Sequence, residues 1–510
     1  MDLQHYPSYA LPEAPASRSR LPATPFWSFV TLFGALFIGY QVVMGGSMVR
    51  VTVAVVAMIA LAIPALEHPK NAVTALFIVL PFMGTIRHAF LSATGVAALD
   101  PLLLITSSVA ITILFALALS DRLDLEGTPA SKVIFLLLCI GILQVFNPGQ
   151  GGLLVGLTGV MINLIPISFF FIARSISDHQ MTTRIIRIVM IIGGLAALYG
   201  LSQVFIGFRG FEKTWLARQG YNAATVGETT RPFSFFNNAA EYAAYAQIAF
   251  VAVFATLMFA AKGTKKIWYL GLSGLIVYAG FLIGSRGFTV KVGVALIALL
   301  AVRAKNRLLS LGLVILLSGA AVIWSATTTT DTRIQDQQQG AAQLIDQQIR
   351  ALADPFDRTK STLPIHWESA TRGIWFAATK QPAGLGTGVA TRGGAKFGGI
   401  QAGTEFDIGD AFLAFGIPGG VLYLLAIMFG LVEASRVRRA LPGPVWAAIW
   451  AIGLSSIGAW LLGGNYAVAP LIWFLIGAAD GQYKRLRQTG LLDERGRVPK
   501  QKPDFGFASA

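Results

Sequence analysis

Charge is what this 510-residue sequence has least of: only 13% of its residues are Asp, Glu, Lys or Arg, about half the share of a soluble globular chain. Such a chain cannot cover a water-facing surface of this size. Acidic residues are the scarcer kind, 25 against 40 Lys and Arg, which leaves a formal net charge of +15. The single cysteine, Cys139, excludes an intrachain disulfide, a thiolate zinc site and a redox pair, and says nothing about compartment. Histidine is also rare, with five in all. His366 stands alone in a long polar stretch, without the second His or Cys that a metal site needs. No metal and no other cofactor is expected.

What the chain has instead is apolar length. Hydrophobic residues make up 55%, mean hydropathy is +0.64, and runs long enough to cross roughly 30 Å of hydrocarbon recur along most of it. They fall at about 26–45, 49–66, 71–86, 101–119, 132–146, 152–173, 186–207, 239–261, 267–284, 287–302, 308–325, 409–432, 444–462 and 465–479. The expected fold is an all-α polytopic membrane protein of about 14 transmembrane helices, within a range of 12–14. A sequence pI near 10.0 suggests nucleic acid at first. The basic residues sit in short clusters between apolar runs, however, a pattern that reports topology and argues against nucleic-acid binding.

The clusters orient the chain. Arg18 and Arg20, Lys70, Arg122 and Lys132, Arg174 with Arg184 and Arg187, Lys262 to Lys266, Arg303 to Arg307, Arg436 to Arg439 and the tail from Lys484 all fall on one side. The short loops of the other side hold Arg50, Arg87, Arg286 and Lys291. The bias places both termini in the cytoplasm. The expected organisation is a proline-rich, disordered cytoplasmic tail at 1–24, N-terminal helices over 25–184, and a transmembrane core over 185–325 with an outward loop at 208–238. A long outward loop at 326–408, C-terminal helices over 409–480 and a basic cytoplasmic tail at 481–510 complete it. Within the long loop, apolar spacing predicts amphipathic helices over 333–354 and 364–380. In the second, Trp367, Ile374, Trp375 and Ala378 form the apolar side. The glycines of 384–399 offer backbone N–H groups to an anion, but no Lys-Ser/Thr follows to make a P-loop.

Several polar residues at membrane boundaries carry possible chemistry. Arg286, between two close apolar runs, is either a fixed cation for a phosphate or diphosphate, or a snorkelling loop residue. Arg231, with Asn237, Asn238 and Glu241, offers a cation, two amides and a carboxylate to a sugar phosphate, or equally an interfacial anchor with a capping asparagine. Glu368 and Arg372 sit four apart on the expected loop helix, so a plain ion pair competes with glycan binding beside Trp367 and His366. Glu405, Asp407 and Asp410 cluster just before the run at 409. One of them can serve as a general base for a sugar hydroxyl, with capping of the helix start as the plain alternative.

The order of these pieces resembles the O-antigen ligase and polymerase superfamily. The resemblance rests on Arg231-Pro-Phe-Ser-Phe-Phe-Asn-Asn238, Gly284-Ser-Arg-Gly287, Arg372-Gly-Ile-Trp375, Pro382-Ala-Gly-Leu-Gly-Thr-Gly388 and Gly416-Ile-Pro-Gly419, and covers roughly residues 185–435. It implies a multi-pass, metal-independent glycosyltransferase of the bacterial inner membrane, with its active site facing the periplasm. The donor would be an undecaprenyl-diphosphate-linked oligosaccharide, and the working partners a flippase and a chain-length regulator of the same pathway. Arg231 and Arg286 correspond to the arginines expected to hold the donor diphosphate, and Arg372 to that of the loop helix. Where ligases of the family carry a His-Asn pair ahead of the Gly-x-x-Gly, this chain has Glu405-Phe406. That departure favours a polymerase of exopolysaccharide, capsule or O-antigen repeat units over a ligase. A polysaccharide or lipid transporter is the reading from a different class, and the scarcity of charge within the spans weighs against it.

Overall fold

The computed structural model describes residues 58–59, 65–94, 102, 104–125, 127–219, 225–226, 229–303, 363–389, 391, 394, 397–400, 403, 406–460, 466–493 and 496–497. The expected runs at 26–45 and 308–325, most of 49–66, the expected helix at 333–354 and Glu405 lie outside the described residues.

Side chains that replace missing backbone partners set several helix starts. Thr128 and Ser131 close a reciprocal capping box on either side of Pro129, Asp178 accepts from the Met181 N–H at 2.7 Å, and Asn238 accepts from the Glu241 N–H at 2.9 Å. The described helices are α1 (Pro69–Thr94), α2 (Leu104–Leu119), α3 (Pro129–Leu143), α4 (Leu153–Ile176), α5 (His179–Phe205) and α6 (Gly210–Gln219). After a two-residue ribbon of Thr225–Val226 against Thr229–Thr230 come α7 (Ala239–Phe259), α8 (Lys265–Phe281), α9 (Arg286–Arg303), α10 (Leu363–Thr379), α11 (Asp407–Ala440), α12 (Pro444–Ser455) and α13 (Ala469–Gln488). Six of them, α1, a helix running on from α3 to Phe146, α4, α5, α7 and α11, are long and apolar enough to cross a bilayer. The chain is thus a multi-pass α-helical membrane protein.

Close packing at the centre depends on small residues. α13 lies so near α4 that a side chain at Gly477 would meet the Phe170 carbonyl at 2.2 Å. α4 itself contains a π turn at Val160–Leu164, just ahead of Pro166, where the missing proline N–H loosens the helical ladder.

α11 differs from the straight run expected over 409–432. Gly416 has φ 71° and ψ −170°, a conformation essentially restricted to glycine, and there the helix folds back on itself. Tyr423 Oη donates to Asp407 Oδ2 at 3.2 Å, whereas sixteen residues of unbroken helix would separate their backbones by about 24 Å. A side chain at Gly420 would also strike the Phe412 ring at 2.4 Å. A short limb, 407–415, therefore runs antiparallel to a long limb, 417–440. The reversal leaves two helix carbonyls without their usual donors, because the Ile417 N–H turns instead to the Pro382 carbonyl at 2.9 Å and Pro418 has none. Leu385 and Gly386 supply the replacements, donating to Leu413 and Ala414 carbonyls at 2.8 and 3.1 Å.

Candidate functional site

The segment leading into α7 is held from several sides. Gln203, buried in α5, accepts from the N–H groups of Phe233 and Ser234 at 3.0 and 2.7 Å and donates to the Ser234 carbonyl at 3.0 Å. Phe233 packs on Trp215 and His88, Phe235 stacks on Phe82 at 4.5 Å between centroids, and the Thr85 N–H donates to the Phe235 carbonyl. With 233–237 buried in this way, half-buried Arg231 precedes the segment and buried Asn237 closes it.

Arg231 Nε donates to the Ile283 carbonyl at 2.9 Å. Fifty-two residues of separation collapse to one turn, 282–286, whose last residue is Arg286. Both guanidinium groups are half-buried, and Arg286 opens α9, where the helix dipole adds positive potential. Lys291 lies further along α9, half-buried and within electrostatic range of Asp407. The arrangement is suited to an anion with several oxygens.

The amides and carboxylate beside Arg231 are engaged with protein. Asn238 caps α7. Asn237 accepts from Arg87 Nη1 and donates to Glu241 Oε2 at 3.1 Å. Glu241, 1% exposed, also accepts the N–H of Asn237 at 3.1 Å and of Ala467 at 2.8 Å, tying α7 to the start of α13. Arg87 lies 5.9 Å from the Tyr466 ring centre. These contacts make a relay, Arg87 to Asn237 to Glu241 to Ala467, that joins α1, α7 and the segment before α13.

The remaining candidates separate by burial. Asp407 is 1% exposed and held by Tyr423, at the base of the reversal and not at the entry to a straight span. The residue before it, Phe406, occupies the N-cap position without a side-chain cap. Asp410 is half-buried on the same short limb. Arg372 and Glu368 form the plain i,i+4 pair at 2.6 Å, with side chains 74% and 45% exposed. His366 and Trp367 fall on α10, but their side chains lie outside the described residues. The helix expected over 364–380 is present as α10, but with a different face inward. Gly373 and Ala377 are buried, whereas Trp375 is 71% exposed and Ala378 is also exposed.

The glycine-rich stretch does not cradle an anion between 384 and 389. Its N–H groups are donated within the protein: Gly384 to Gln381, Leu385 to Leu413, Gly386 to Ala414, Thr387 to Gln144, Val389 to Gly386 and Gly388 to the Gln150 side chain. It plugs the break in α11. Among the described residues there is no cluster of His, Cys, Asp and Glu that could hold a metal ion.

Sequence reasoning passed over Gln203, Arg87, Tyr423 and Lys291. Gln203 carried a usable signal, a large amide within an apolar run. Arg87 and Lys291 looked like ordinary loop cations. In comparisons with known proteins, no family model matches the sequence and no curated protein does.

Proposed function

We propose that the chain is a polysaccharide polymerase that joins undecaprenyl-diphosphate-linked oligosaccharide repeat units at the periplasmic face of the bacterial inner membrane. The observation that carries this reading is the Arg231 bond to Ile283, which ties Arg231 to the turn that leads into Arg286. In the reaction, an acceptor hydroxyl of one repeat unit attacks the anomeric carbon of another. The bond from that carbon to the lipid diphosphate breaks, and the diphosphate leaves with its electron pair. Arg231 and Arg286 stabilise that leaving charge in a water-poor site, where fixed cations act most strongly. The hydroxyl proton goes to a carboxylate. Asp407 is engaged by Tyr423 and shut from solvent, so Asp410 is the better placed of the two described carboxylates, with Glu405 as its neighbour in sequence.

A shallow, open depression lined by Phe82, Thr85, Tyr199, Arg209, Phe211 and Phe235 suits a lipid-linked donor, since Phe235 belongs to the segment that follows Arg231 and the aromatic lining matches an isoprenoid chain. The test is transfer by the purified protein in nanodiscs, using a lipid-diphosphate oligosaccharide from its own organism beside Arg286→Ala. A product ladder that disappears in the variant supports the reading. One glycan added to a different acceptor makes the protein a ligase, and absence of product beside an active partner system points to transport.

A further inference from the structure

At the end of the bundle opposite the candidate site, three helices bury ionisable groups together. Arg174 of α4, Glu433 of α11 and Asp480 of α13 are 2%, 1% and 1% exposed. Arg174 Nη1 is paired with Asp480 Oδ2 and donates to Thr128 Oγ1 at 2.9 Å, and its Nε faces Asp124 Oδ2 at 3.2 Å. Glu433 Oε1 accepts the Ala130 N–H at 3.2 Å. Because Thr128 and Ala130 are two residues apart, these bonds bring the carboxyl groups of Glu433 and Asp480 into one buried layer around Arg174. Their remaining oxygens, Glu433 Oε2 and Asp480 Oδ1, are both buried, and neither accepts a hydrogen bond from a protein donor.

The surrounding charges are occupied elsewhere. Lys484 pairs with Asp124 at 2.7 Å, and Lys70 pairs with Asp178. Arg485 donates to the Ser177 carbonyl at 3.1 Å and to Gln482 Oε1 at 3.0 Å while facing Asp178 and Asp124. Arg436 donates to the Tyr483 hydroxyl. In the innermost layer, one guanidinium thus faces two carboxyl groups. Two carboxylates that both carried charge would repel each other where little water screens them, and neither has a hydrogen to offer the other.

We infer that Glu433 and Asp480 hold one proton between them, so that the pair is a monoanion matched to Arg174 and the bound proton is part of the joint between α3, α4, α11 and α13. Aspartic proteases use a carboxyl pair of this kind for catalysis; here it lies far along α11 from the reversal. Glu433 sits on the limb that also carries Tyr423. Loss of the proton would drive α11 from α13 and loosen the support of Asp407. The inference does not rest on the proposed glycosyl transfer.

Infrared spectroscopy on the full chain in nanodiscs tests it. A carbonyl-stretch band of a protonated carboxylic acid is expected at neutral pH, and Glu433→Gln should remove it. Glu433→Gln should keep the wild-type unfolding midpoint, because its amide hydrogen takes the place of the shared proton, whereas Glu433→Ala should lower it. Absence of a band that Glu433→Gln removes overturns the inference. So does a Glu433→Gln midpoint as low as that of Glu433→Ala. An unfolding midpoint that rises with added sodium, potassium or calcium in wild type, but not in Glu433→Gln, would mean that a metal cation occupies the pair, and would overturn it too.

Discussion

Tyr423 Oη reaches back sixteen residues to donate to Asp407 Oδ2. The contact exists only because α11 reverses at Gly416, and it assigns different duties to neighbouring carboxylates. Asp407 is a fastening between two limbs of one helix, while Asp410, one turn later, keeps partial access to its surroundings. Asp407→Ala is therefore expected to lower the unfolding midpoint in detergent, since it leaves the buried Tyr423 hydroxyl without its acceptor, at a cost of about 1–3 kcal/mol. Asp410→Asn should leave the midpoint near wild type and suppress transfer. If Asp410→Asn turns over normally, the proton acceptor lies elsewhere, with Glu405 the next to test.

Arg286→Ala and Arg231→Ala should each reduce transfer by roughly 10²–10³, the usual cost of removing one fixed donor to a developing anion. Arg231→Lys should not rescue activity, because a single ammonium replaces a planar fork that must hold the Ile283 carbonyl and a phosphate together. Single-turnover rates beside unfolding curves check both points. A large midpoint drop in Arg231→Lys would mean that its bond to Ile283 mainly holds the turn.

Gly416→Ala introduces a Cβ at φ 71°, 2.4 Å from the Pro382 carbonyl oxygen. A cost on the order of 1–3 kcal/mol is expected from backbone strain alone, with more from the clash. Pro418→Ala acts more mildly, since it adds an N–H that competes with Gly386 for the Ala414 carbonyl. Limited proteolysis of the 380–406 region should accelerate in Gly416→Ala, and equal cleavage rates would count against the lock.

The Lys70–Asp178 contact predicts an acid-dependent effect at the other end of the bundle. Burial pushes the Asp178 carboxyl up, but hydrogen bonds from Lys70 and the Met181 N–H, with the charges of Lys70 and Arg485, outweigh it and hold it below its ordinary value. A carboxylate with a lowered folded value adds stability above its unfolded value and loses it as pH falls through the folded one. Asp178→Asn should lower the midpoint at neutral pH, with the gap to wild type closing in acid. Both side chains are about half exposed, so the gap should be small and shrink with salt. A gap that persists in acid would assign the effect to the cap alone.

Much of the architecture was legible because hydrophobic run length and charge placement are local properties. The helix at Leu363–Thr379 was visible from spacing alone, and so was the plain pairing of Glu368 with Arg372. Its inward face was not, because Gly373 and Ala377 pack by being small while Trp375 points away, the reverse of a hydrophobicity ranking. The reversal escaped as well: Gly416-Ile-Pro-Gly inside an apolar run looks like a kink until the partner of the freed carbonyls is known, and that partner comes from 382–386. Arg231 and Arg286 were identifiable as candidates, yet the bond that ties Arg231 to the turn before Arg286 goes to a backbone carbonyl, which leaves no mark in side-chain identity. The fastening roles of Asn237 and Glu241 were hidden for a similar reason, since one of their partners is the Ala467 N–H.

The short limb of α11 also bears on how the protein is made. Nine residues of helix reach only about 13 Å, too little for the insertion machinery to accept as a crossing. The limb therefore joins the bundle by packing against the long limb and not as a crossing of its own. Leu385 and Gly386 then complete it with backbone bonds alone. Assembly of this region is accordingly a packing step separate from insertion of the long limb, and mutations there should show up first as slow maturation of an inserted chain.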